Sequence, residues 1–161
     1  MVTGKKKTEM REDFSGKVSD ETLRKLVGYN MKRAFNEVQA DLVQVLQQFD
    51  LRMMTYSALI LIVDNPGLRQ SHLAEALAVE RPNLVIIIDE LERRGLIARE
   101  RLISDRRAYA LVATLPGRQL YENALRAVKA HETKIFGDLD DPETLKLIET
   151  LRQVERRARA R

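Results

Sequence analysis

The chain has 161 residues, 32% of them charged and 44% hydrophobic, with a net charge of only +4. That length allows one domain with a sizeable core, and so small a net charge leaves any case for nucleic acid to the distribution of the charges. The absence of cysteine excludes disulfides and thiol-based oxidant sensing, and two histidines far apart in sequence, His72 and His131, give no basis for a zinc site.

Residues 1–19 are polar and charged, with Lys5-Lys6-Lys7 between Gly4 and Gly16, and read as a mobile tail. The basic start has no apolar stretch behind it, so no signal peptide is expected. No apolar run approaches the roughly 20 residues that cross a bilayer, and a cytoplasmic protein is expected. Residues 20–48 predict one long helix, capped by Ser19 or Asp20, with Leu23, Val27, Met31, Phe35, Val38, Leu42, Leu46 and Phe49 on one stripe. At about 1.5 Å per residue it would be about 40 Å long, more than a small neighbouring lobe can cover. Asp50-Leu51 breaks it. Met53–Val63 is a compact apolar helix, closed by the turn Asn65-Pro66-Gly67.

Residues 68–113 hold two helical patterns and two short strands. The first helix spans about Arg69–Leu77, with Leu73, Ala74 and Leu77 inward, and Ala78–Glu80 is the turn. The second spans Arg81–Arg94, with Pro82 in its first turn, where a missing N–H costs nothing, and Leu84, Ile87, Ile88 and Leu91 on one face. Gly95 follows two arginines, as at many helix ends. Strands Leu96–Leu102 and Ala108–Val112 enclose a polar tip at 103–107. Helix, turn, helix and hairpin make a winged helix-turn-helix, which suits the DNA major groove. Periodicity alone fits a helix pair that never touches DNA equally well. The hairpin tips the balance: its base and tip carry Arg99, Arg101, Arg106 and Arg107 against Glu100 and Asp105, a charge pattern that attracts phosphates. Arg81 and Asn83, flanking Pro82, are the candidate base readers; Val85 and Ile86 either touch thymine methyls or are buried. Arg69, Gln70 and Ser71 are placed for phosphates.

Thr114 caps the next helix, 115–136, with Pro116 in its first turn. After a turn at 137–140, Asp140 or Asp141 caps a last helix over 141–158, whose end is basic, as suits a helix C-terminus. The helices at 20–48, 115–136 and 141–158 cannot all satisfy their apolar stripes within one chain, and a two-fold homodimer through 20–48 and 115–161 is the economical solution. The expected fold is therefore mainly α with a small β-hairpin wing: a winged-helix domain over 20–161, with the DNA-binding lobe at 50–113 and a helical dimerisation region.

Leu73-Ala-Glu-Ala-Leu-Ala78, Leu91-Glu-Arg-Arg-Gly-Leu-Ile97, Arg99, Asp105-Arg106-Arg107 and Thr114-Leu-Pro-Gly117 together resemble the MarR family of bacterial transcription regulators. The likeness in order of elements extends over about residues 20–160. Arg69 and Glu80 depart from it, standing where the family often has Thr or Ser. The resemblance implies a homodimer on an inverted-repeat operator in double-stranded DNA. It implies that Arg106 reaches DNA while Arg107 pairs with Asp105 to shape the tip. It also implies a cleft for small aromatic acids, to which this chain would contribute Tyr29, Asn30, Arg33, Arg52, Met53, Met54 and Tyr56. Gly28-Tyr29-Asn30, with Arg33-Ala34, looks like the branch tied to aromatic catabolism, whose effectors include hydroxycinnamates or their CoA thioesters. Physically, Arg33 or Arg52 would hold a carboxylate or phosphate, and the tyrosines and methionines would face a ring. The alternative is that Tyr56 and the methionines are ordinary core and the arginines surface charges.

No catalytic constellation is present: no G-x-S-x-G, P-loop, G-x-G-x-x-G or H-E-x-x-H. Ser71 and His72 are adjacent, and adjacent helix residues do not face each other. Neither an enzyme nor a cofactor is expected. The expected function is a ligand-responsive repressor, released by a small aromatic acid or its CoA thioester. The competing reading is an architectural or protein-interaction winged helix that does not read sequence.

Overall fold

The computed structural model describes residues 16–101 and 109–160. The chain divides into two compact units, residues 1–35 and 36–161.

In the first unit, a short helix α1 (Glu21–Arg24) precedes the start of α2 (Val27–Gln47). The single helix expected over 20–48 is thus interrupted at Lys25 and Leu26. Side-chain chemistry accounts for the break. The Asn30 amide donates to the carbonyls of Arg24 (2.8 Å) and Leu26 (2.9 Å), so one side chain bridges the two ends of the interruption. Asp20 accepts from Arg24 (2.8 Å) and from the Tyr29 hydroxyl (2.9 Å), tying α1 to the first turn of α2. The Tyr29 hydrogen bond, with Arg24 adding to it, holds the Asp20 carboxyl below its ordinary range.

The second unit takes up α2 and continues with α3 (Met53–Asp64), β1 (Leu68–Arg69), α4 (Gln70–Leu77), α5 (Arg81–Arg93), β2 (Ile97–Arg101), β3 (Tyr109–Ala113), α6 (Leu115–Phe136) and α7 (Pro142–Arg159). The expected hairpin is present, with Ile97 opposite Ala113 and Arg101 opposite Tyr109. It belongs to a three-stranded antiparallel sheet of order β1-β3-β2, in which Leu68 pairs with Leu111 and Arg69 with Ala110. The third strand is two residues long, too short to leave a period-two signal.

Two cores lie side by side. The first gathers Ala58, Leu59 and Ile62 of α3, Leu73 of α4, Leu84, Ile88 and Leu91 of α5, and Leu111 of β3. The second joins Leu42 and Leu46 of α2, Leu51, Tyr56 of α3, and Ala124 and Val128 of α6. Helix α3 contributes to both, which explains its near-continuous apolar sequence. Helix α7 has no buried residue, while Leu145, Leu147, Leu151 and Val154 are exposed on it. No helix among the described residues is long and apolar enough to cross a membrane. His72 is exposed on α4 and His131 buried on α6, and no cluster of potential metal ligands occurs among the described residues.

Candidate nucleic-acid interface

Helix α4 starts directly from β1. Its N-cap residue, Arg69, is extended and offers no side-chain acceptor, so the first N–H groups of the helix are left for an outside partner. Arg69 and Ser71 are exposed beside them and Gln70 is half-buried. Free N–H groups at a helix start, flanked by a guanidinium, suit a phosphate. The turn that follows places Ala78 in the left-handed region (φ 52°), with the Val79 N–H bonded to the Ala74 carbonyl at 3.0 Å.

Helix α5 lies one turn further on. Glu80 precedes it in an extended conformation, and Pro82 occupies its first turn. Leu84, Ile87, Ile88 and Leu91 are buried, which orients the helix. Arg81, Pro82 and Asn83 are exposed at its start. Val85 and Ile86, which the sequence left open between thymine contact and burial, are outside the core, 45% and 62% exposed. The outward face of α5 therefore offers a guanidinium, an amide and two branched apolar side chains, the groups that read guanine, adenine and thymine-methyl edges.

The wing corrects one expectation. Arg99, counted with the basic base of the hairpin, turns inward: it pairs with Asp89 and, at 2.9 Å, with Glu92, both on α5. Its charge is spent on bracing the second half of α5 against β2. Arg101, at the end of β2, is exposed. Asp105, Arg106 and Arg107 lie outside the described residues.

Behind the wing, Thr114 has a double role. Its hydroxyl accepts from the Gly117 N–H (3.1 Å), capping α6, and donates to the Gly95 carbonyl (2.6 Å) at the end of α5. Gly117 lies so close to the backbone here that a Cβ on it would fall 1.9 Å from the Leu96 carbonyl oxygen. The sequence marked Thr114 as a cap; the close approach of Gly117 was not visible in it.

The residues expected to hold an effector fall in both units. Tyr29 and Asn30 make the hydrogen bonds of the first unit already described, and Arg33 is exposed there. In the second unit, Tyr56 is buried in the second core, and burial pushes its hydroxyl up to about 12. Met53 packs against that core and Met54 against the first. Arg52 pairs with Glu90 of α5. Arg52, Met53 and Met54 also line an open groove of about 290 Å³ with Thr55, Asn83, Ile86 and Ile87. Three candidates from the start of α3 thus share one surface with a candidate base reader.

A family model described as MarR family matches residues 49–108. A Thauera aromatica protein assigned to transcriptional regulation of the hcr operon is 39% identical over 101 residues, which cover 63% of this chain and 61% of that relative. Among solved structures, the transcriptional repressor CouR bound to a 23-mer DNA duplex is 33% identical, with a TM-score of 0.80 over 87% of this chain and 99% of the other. CouR from Rhodococcus jostii RHA1, bound to p-coumaroyl-CoA, is 29% identical, with a TM-score of 0.74 over 82% of this chain and 93% of the other.

Proposed function

We propose, from the premise that this chain belongs to the MarR family, that it is a DNA-binding transcriptional repressor released by a small aromatic acid or its CoA thioester. The observation that carries the DNA-binding part is the outward face of α5, with Arg81, Asn83, Val85 and Ile86 exposed beside the uncapped start of α4. None of the four belongs to either core, and reading base edges gives them a role that an architectural module would leave empty. The protein acts by binding and not by catalysis.

The working form is a homodimer. Helix α7 carries a stripe of exposed leucines and a valine with nothing buried, and an amphipathic helix of 18 residues is stable once such a stripe is covered. A second copy supplies the cover and places two α5 helices about 34–36 Å apart, one DNA turn. Light scattering at micromolar concentration should give twice the 18.5 kDa of one chain; a stable monomer overturns this.

Arg106 contacts the DNA backbone or minor groove from the wing, with Arg107 and Asp105 shaping the tip. Arg106→Ala should weaken operator binding and reduce the salt slope by about 0.9, one phosphate's worth. An unchanged slope and affinity remove Arg106 from the interface.

The effector is aromatic. Arg33 and Arg52 are the candidates for a carboxylate or phosphate, and Tyr29, Asn30, Met53, Met54 and Tyr56 for the remainder. The relative bound to p-coumaroyl-CoA supports the thioester form. Release works by population shift: the effector binds a form whose α5 spacing does not fit the operator, and it must prefer that form to shift anything. A thermal-shift screen of aromatic acids and acyl-CoA thioesters, followed by operator release for each hit, tests the whole reading. Ligands that stabilise the protein but leave operator affinity unchanged overturn the sensing part. A wild type that does not prefer an inverted repeat from its own upstream region to random DNA overturns the repressor part.

A further inference from the structure

The corner between α2 and α3 is fastened to the end of α5 at two points. Arg94, the residue that ends α5, donates to the Asp50 carbonyl at 2.5 Å and to the Phe49 carbonyl at 3.2 Å. Both carbonyls lie just past the last turn of α2, where the negative end of the helix dipole favours a cation. Asp50 adopts φ 52°, and this left-handed turn presents two successive carbonyls to one guanidinium. The second point is the pair Arg52–Glu90.

The two points are unequal. The Arg52 side chain is 74% exposed, and an exposed ion pair contributes little. Arg94 is 21% exposed, and its 3.7 Å contact with the Asp50 carboxylate is also weak, because that carboxylate is 93% exposed. Its hydrogen bonds to the two carbonyls are the stronger link, because both are charge-assisted and share one guanidinium that is itself mostly out of water. Arg94 also stands between the two cores: Leu91, one turn back on α5, belongs to the first, and Leu46 and Leu51, on either side of the corner, belong to the second.

We propose that Arg94 is a positioning residue, which fixes the α2–α3 corner to α5 so that a displacement of α2 reaches the base-reading side chains Arg81 and Asn83. The inference rests on the reading of α5 as the DNA-reading helix. It identifies a contact, remote from the DNA-facing residues, through which effector binding at α2 or α3 would alter operator affinity. A guanidinium suits the corner because its two terminal nitrogens, held in one plane, each serve one carbonyl; a lysine ammonium has three rotatable donors on one nitrogen and does not fix that geometry.

The test uses the full chain with Arg94→Gln and Arg94→Lys. Operator and random-DNA affinities are read by fluorescence anisotropy at one salt concentration, with and without p-coumaroyl-CoA as the probe. Arg94→Gln should lose operator affinity about tenfold, keep random-DNA affinity within twofold, and shrink the ratio of operator affinities without and with the probe; Arg94→Lys should fall between it and wild type. Operator affinity and ratio within twofold of wild type in Arg94→Gln overturn the proposal. Equal losses on operator and random DNA also overturn it, since they mark a merely structural role. Amide hydrogen exchange decides the matter apart from the DNA and effector readings: Arg94→Gln should speed exchange in residues 81–93 and leave 115–130 unchanged. Uniform acceleration, or none, overturns the proposal. If the wild type itself shows no operator preference or no probe response, the repressor or sensing reading fails, and the exchange result alone decides the role of Arg94.

Discussion

Gly117→Ala should lower the melting temperature of this protein by roughly 6–12 °C, measured at fixed protein concentration. The added methyl would fall 1.9 Å from the Leu96 carbonyl oxygen, 2.9 Å from its carbonyl carbon and 3.3 Å from its Cα. These are backbone atoms, so no rotamer change relieves the clash. The Leu96 carbonyl also accepts from the Thr114 N–H at 3.0 Å, and Leu96 and Ile97 are both buried. Moving that strand start disturbs the α6 cap and the first core together. Overpacking costs about 1–3 kcal/mol in side-chain contacts, and a contact with backbone belongs at the top of that range. In a chain of this size each kcal/mol lowers the midpoint by roughly 2–4 °C. Gly28→Ala is the control. A Cβ there meets nothing within 4 Å, and the residue lies in α2, so alanine should be neutral or raise the midpoint. Equal midpoints for Gly117→Ala and wild type would mean that α6 does not approach Leu96 so closely.

Asn83→Ala should cost operator affinity by about 1–3 kcal/mol, roughly fivefold to more than a hundredfold, while random-DNA affinity stays within about twofold. The amide is exposed at the start of α5, and its loss leaves the buried face Leu84, Ile87, Ile88 and Leu91 intact. Folding stability should therefore change by no more than about 0.5 kcal/mol. Arg81→Ala should behave likewise at a different base pair, where the lost guanidinium relaxes a preference for guanine. A selection from randomised half-sites locates both positions. If Asn83→Ala weakens random and operator DNA equally, the residue contributes only to backbone binding, and the base-reading assignment passes to Arg81, Val85 and Ile86.

The DNA-binding lobe was largely legible in the amino-acid order, because its signals are local. The 3.6-residue spacing of Leu84, Ile87, Ile88 and Leu91, Pro82 near one end and Gly95 past the other placed α5 to within a residue. Thr114 and Pro116 did the same for α6, and Asp141 and Pro142 for α7. What escaped depends on partners distant in sequence. β1 exists because Leu68 and Arg69 meet Leu111 and Ala110. The interruption before α2 depends on where the Asn30 amide points, and the inward turn of Arg99 on the acidic residues that α5 brings beside it. The effector candidates were the hardest to read. Tyr and Met serve a core and a ligand equally well, and Tyr56 and Met54 pack against different cores.

The strand β1 also bears on the order in which this protein becomes competent during synthesis. Its partner β3 leaves the ribosome long after it, since α4, α5, β2 and residues 102–108 intervene. Leu111, fully buried and paired with Leu68, is therefore missing when the two helices of the helix-turn-helix are first complete. A nascent chain ending at Leu96 has the candidate base-reading side chains but no β3 to anchor the start of α4, and no α6 to close over Leu96. At translation rates of about 5–20 residues per second, the exposed first core waits seconds for its last wall.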